Sequence, residues 1–298
     1  MIVSEADAAI MKSYGTYAVA EKFVRPLVNG LGGYAVGGAE NLRAVDGEGY
    51  FATPSHRSNW DHFVLGLAML DLPDLSRDQG PDLSQEEEPD SKPLQPRGLH
   101  WMAKDSLWRY PVVEQFVVLC NAFPVKRGTG QGLPQYLVEH IDNLMANNAV
   151  VVVYPESHRE RGPEDEVKVV RSKLKSTVAR QALKEGKPIV PVGLAGPVRG
   201  PKFPRAVVFE PPIFNEKMDP EDPGFESAKH ALMDEVYAGM NSGYQKAREL
   251  QAQLDPELNL IRTLNELTSS PIGKLAAGAL TGLTWKFAQE IMHREGRE

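Results

Sequence analysis

The chain reads as an α/β protein, a largely parallel sheet flanked by helices, with additional amphipathic helices at both termini. Three observations predict this. Short apolar runs alternate with stretches of helical periodicity, as strands joined by crossover helices do. One of these runs, Val150-Val151-Val152-Val153, has no polar alternation and suits a parallel strand buried on both faces. Charged and imidazole-bearing segments follow directly on several runs, where open parallel sheets bind their ligands.

The elements follow in order. Residues 4–29 are expected to form an entry helix. Ser4 and Asp7 have capping-box spacing, and Ile10, Met11, Tyr14, Tyr17 and Ala18 keep one face. Pro26 should kink it, and Gly30, Gly32 and Gly33 end it. A strand over 49–53 leads to a helix over 63–70. Residues 71–98 are acidic and proline-punctuated, which predicts a solvated insertion rather than a core element. Beyond it come strands over 99–103 and 122–125, with helices over 106–119 and 133–146. A strand over 149–154, a basic helix over 168–184, strands over 188–194 and 206–209, and a helix over 225–254 complete the alternation. Near the C-terminus Ser270-Pro271 opens a further helix whose stripe includes Ile272, Leu275, Leu280, Leu283 and Phe287. The organisation is therefore an N-terminal helical segment (1–34), an α/β domain (35–255) and a C-terminal helical segment (256–298).

Composition narrows the function. With 298 residues, 42% hydrophobic and 24% charged, the chain can build a full core. A net charge of −7 argues against general nucleic-acid binding. The single cysteine, Cys120, excludes an internal disulfide, and its apolar neighbours Val117, Val118 and Leu119 suit buried packing and a reducing compartment. Ser4, Glu5 and Asp7 stand where a secretory signal would be basic. No uncharged apolar run reaches the roughly 18 residues of a spanning helix.

The chemistry gathers around Ser55-His56-Arg57-Ser58-Asn59-Trp60-Asp61-His62. Residues five apart do not share a helix face. With His56 in a strand-to-helix turn and Asp61 in the first helical turn, however, the carboxylate can reach one ring nitrogen. That fixes the tautomer and leaves the other nitrogen to accept a proton, as a general base must. The spacing alone is weak evidence, since a surface turn with an Asp near a helix N-terminus gives the same pattern. Three more strand exits are loaded: Lys126 and Arg127 after Phe123-Pro124-Val125, Glu156 and Arg159 after the valine strand, and Pro191-Val192-Gly193. A base, acids and several cations converging on one edge suit an acceptor that carries phosphate. His62 beside Asp61 has no second ligand cluster to make a metal site.

His-x-x-x-x-Asp, then Phe-Pro-Val-x-Arg, then Pro-Glu-x-x-Arg, then Val-Pro-Val-Gly, in that order, resembles the glycerophospholipid acyltransferase family, known best for 1-acylglycerol-3-phosphate acyltransferases. The similarity runs from about 36 to 212. It implies transfer of a fatty acyl group from acyl-CoA or acyl carrier protein to a hydroxyl of a phosphorylated glycerol, in phospholipid synthesis. His56 would be the base and Asp61 its orienting partner. Arg57, Lys104, Lys126, Arg127, Glu156 and Arg159 would bind the substrate. Neither a cofactor, a metal nor a covalent acyl-enzyme is implied. Glu156-Ser157-His158-Arg159 replaces the usual Glu-Gly-Thr-Arg. His56-Arg57-Ser58 is closer to the glycerol-3-phosphate branch and Phe123-Pro124-Val125 to the lysophosphatidate branch. Glycerol-3-phosphate or another lysophospholipid is therefore an alternative acceptor, and a non-catalytic lipid-binding protein is an alternative of a different class. A lipid acceptor implies docking on the cytoplasmic side of a membrane as a peripheral protein. The basic stretch Arg199-Gly200-Pro201-Lys202-Phe203-Pro204-Arg205, with three cations around one aromatic, is a candidate for that contact.

Overall fold

A computed structural model of the protein describes residues 25–30, 33–56, 61–70, 98–109, 121–125, 133–156, 174–196 and 205–254. Its seven strands are β1 (Tyr34–Gly37), β2 (Tyr50–Pro54), β3 (Leu99–Lys104), β4 (Ala122–Val125), β5 (Val150–Val152), β6 (Ile189–Ala195) and β7 (Arg205–Phe209). They form one sheet in the order β1-β7-β6-β2-β5-β3-β4. Five strands from β6 to β4 are parallel; β7 runs antiparallel to β6, and β1 parallel to β7. The strand-and-helix alternation was legible because each crossover brings the chain back to start the next parallel strand.

The helices are α1 (Arg25–Gly30), α2 (Asp61–Leu70), α3 (Gln135–Ala146), α4 (Thr177–Glu185) and α5 (Phe225–Ala252). Alternation along β2 sorts the core into two layers. Tyr50 and Ala52 join α2 residues Val64, Leu65, Leu67 and Ala68 on one face. Phe51 joins Leu137, Ile141 and Met145 of α3, Val178 and Ala182 of α4, and Met233, Val236 and Met240 of α5 on the other. The sequence predicted a face of Leu133, Leu137, Ile141 and Leu144; Leu137 and Ile141 are fully buried, and Met145 is buried with them rather than Leu144. The helix α5 lies directly over β6: a Cβ on Gly193 would sit 1.9 Å from the Gly243 carbonyl carbon. The glycine of the Val-Pro-Val-Gly segment is thus a packing residue that lets a helix touch a strand backbone.

Several expectations are adjusted. The strand β1 was not expected; it is an edge strand of four residues, too short for a periodic signal. Residues 174–176 are not helical, and α4 begins at Thr177. Asp105–Arg109 is a 3-10 helix, and the rest of the helix expected over 106–119 lies outside the described residues. Residues 1–24, the expected insertion over 71–97, Cys120 and the expected C-terminal helical segment over 256–298 lie outside the described residues. No helix among the described residues is long and apolar enough to cross a membrane.

Candidate active site

The site is built where β2 ends. The Ser55 backbone N–H donates to the Val192 carbonyl at 3.0 Å, and its Oγ accepts from the Leu194 N–H at 3.0 Å. The chain thus stays tied to β6 one residue beyond the strand. His56 comes next, at the carboxyl edge of the parallel strands. Its backbone N–H donates to Oε2 of Glu156 at 2.9 Å, which joins the exits of the neighbouring strands β2 and β5. Asp61 is the first residue of α2, where the helix dipole favours a carboxylate.

His56 Nδ1 lies 3.1 Å from Asp61 Oδ2. An ionised carboxylate only accepts, so in the neutral ring Nδ1 carries the proton and Nε2 keeps its lone pair. The other carboxylate oxygen, Oδ1, accepts from Nη1 of Arg205 at 3.2 Å. Asp61 and Arg205 are 1% and 2% exposed, and His56 and Glu156 are also buried. In such a dry setting charge-assisted hydrogen bonds are strong and hold their geometry.

Aromatic rings wall this group in. Tyr154, just past β5, packs on the His56 ring at 4.3 Å between centroids. The His62 ring stands edge-on to Tyr154 at 4.8 Å and to Trp101 at 5.1 Å. Burial pushes the Tyr154 phenol well above its ordinary value, and the Asp61 and Glu156 charges add to this. The phenol therefore stays protonated. His62 has an aromatic role here; among the described residues no three His, Cys, Asp or Glu side chains are grouped as a metal would need.

The structure thus brings together His56, Asp61 and Glu156 of the residues expected from the sequence. Lys104 ends β3 at the same edge of the sheet and is exposed. Arg57, Lys126, Arg127 and Arg159 lie outside the described residues. Glu156 faces the backbone of His56, a contact that residue types alone do not reveal. Arg205 corrects the sequence reading: it is not a surface cation of a basic loop but a buried residue opening β7. One signal was available. Arginine is almost never fully buried unless paired, so an Arg leading into Ala206-Val207-Val208-Phe209 implies a carboxylate partner. Tyr154 was read only as the end of a strand.

Residues 89–195 match the family model described as Acyltransferase. This segment holds Glu156 and begins after His56 and Asp61. No curated protein matches the chain. Among solved structures, the crystal structure of the 1-acyl-sn-glycerophosphate (LPA) acyltransferase PlsC from Thermotoga maritima matches with a TM-score of 0.51 at 16% identity, covering 82% of this chain and 83% of that one. The likeness to acyltransferases thus lies in the segment over 89–195 and in the fold, an α/β architecture with a mostly parallel seven-stranded sheet.

Proposed function

We propose that the chain transfers a fatty acyl group from a thioester donor, acyl-CoA or acyl carrier protein, to the free hydroxyl of 1-acylglycerol-3-phosphate. The observation that carries this reading is the buried 3.1 Å contact between His56 Nδ1 and Asp61 Oδ2, within a fold that matches an acyltransferase. His56 Nε2 takes the proton of the acceptor hydroxyl as its oxygen attacks the thioester carbonyl. Asp61 stabilises the imidazolium so formed. Collapse of the tetrahedral intermediate breaks the C–S bond, and the imidazolium returns its proton to the leaving thiolate. Base assistance of this kind contributes about 10²–10⁴-fold. No metal or other cofactor takes part in these steps.

Arg57, Lys104, Lys126, Arg127 and Arg159 are the candidates for contact with phosphate of the acceptor or donor, by virtue of their place after the strands. Glu156 holds the turn that carries the base. Glycerol-3-phosphate is a second reading of the acceptor, favoured by His56-Arg57-Ser58. A non-catalytic lipid-binding role is disfavoured by the intact His56–Asp61 pair.

A lipid acceptor places the enzyme on the cytoplasmic face of a membrane as a peripheral protein. With Arg205 buried, the cations left for that contact in the 199–205 stretch are Arg199 and Lys202, beside Phe203. Thiol release from an acyl-CoA, measured with a panel of acceptors, tests the proposal. Release that depends on lysophosphatidate is expected. Release with glycerol-3-phosphate alone favours the second reading, and no release with any acceptor or donor contradicts acyl transfer.

A further inference from the structure

The antiparallel return of β7 beside β6 delivers the first residue of β7 to the edge where the parallel strands end. Ala195 pairs with Ala206 across the two strands, so Arg205 starts level with the exit of β6. Its side chain runs beneath Gly196, which has φ +155°. A Cβ at Gly196 would lie 2.6 Å from Arg205 Cγ and 3.0 Å from Nη1. Arg205 is among the largest fully buried side chains of the described residues. The strand fixes its base, Gly196 accommodates its stem, and the guanidinium meets Asp61 Oδ1 at 3.2 Å.

The geometry points to Arg205 as a positioning residue for His56, acting through Asp61: it holds the carboxylate in place and tempers how strongly that carboxylate raises the basicity of the imidazole. This inference rests on the acyl-transfer reading for its catalytic consequence, but not for the coupling itself. A lone carboxylate beside a histidine favours the imidazolium, whereas a base must be neutral when substrate arrives. A permanent cation on the far side of the same carboxylate offsets part of that pull. A guanidinium does this well, because it stays charged at every working pH and offers donors in a fixed plane. Among the described residues, the other titratable groups facing His56 are Glu156 and Tyr154 from the exit of β5, and Asp61 and His62 from α2. None of these supplies a permanent positive charge.

The test is the titration of the His56 ring by nitrogen NMR in the full chain, assigned with His56→Gln, in wild type, Arg205→Met and Arg205→Lys. Removing the cation should raise the His56 midpoint by about 0.5–1 pH unit, while Arg205→Lys leaves it near wild type. Should Arg205→Met not fold, Arg205→Gln keeps a donor to Asp61 without the charge and should show the same rise. In the transfer assay the uncharged variant should lose kcat with acceptor KM unchanged, and its acidic limb should move to higher pH. A folded uncharged variant whose His56 midpoint matches wild type overturns the inference. Because the titration needs no turnover, an inactive wild-type protein would count against the proposed function alone.

Discussion

The backbone N–H of His56 donates to the carboxylate of Glu156 across 2.9 Å, although the two residues stand a hundred positions apart. The contact binds the exits of β2 and β5, so the backbone at His56 is held by the neighbouring strand. Glu156→Ala would leave a buried N–H without its acceptor, which costs about 1–3 kcal/mol. Glu156→Gln keeps an acceptor oxygen and should retain most of the stability. Chemical denaturation of the two variants checks this, and an Ala variant as stable as the wild type would refute it.

Tyr154 packs its ring on His56, while its hydroxyl is buried and has no hydrogen-bond partner among the described residues. Tyr154→Phe keeps the ring and removes a desolvated polar group. The variant should match the wild type in thermal stability or exceed it, by up to about 1 kcal/mol. Destabilisation by more than that would show that the hydroxyl makes a bond worth keeping.

His100, on β3, supplies a pH dependence of its own. Burial, followed by the nearby His140, lowers its pKa from 6.5 to about 4. The folded state therefore holds the ring neutral at pH values where the unfolded chain protonates it. Stability should be complete above about pH 6.5 and should fall as pH drops towards 4, by on the order of 2–3 kcal/mol. His100→Gln should flatten that part of the stability curve. An unchanged slope between pH 6.5 and 4 in the variant would contradict this origin.

Much of this was legible in the sequence because local patterns and global fold agree. The valines of β5 and the spacing of Leu137 and Ile141 each encode an element directly. The His56–Asp61 pair was legible because strand, turn and helix are contiguous, so distance follows from chain geometry. Arg205 was not, since its role depends on β7 reversing direction beside β6, and sequence periodicity is blind to strand direction. The partner of Glu156 was hidden for a related reason: the donor to that carboxylate is a backbone N–H, which every residue type except proline carries. Gly193 read as part of a ligand-binding segment and proved to be the place where α5 touches β6.

Acyl transfer by a His56 variant tests the proposed chemistry most directly. His56→Ala should cut acceptor-dependent thiol release from acyl-CoA by about 10²–10⁴-fold, as loss of a general base does, while the thermal unfolding transition remains cooperative. Asp61→Asn should also be severe, because the ring loses its orienting carboxylate. A folded His56→Ala protein that turns over at close to the wild-type rate would contradict His56 as the base.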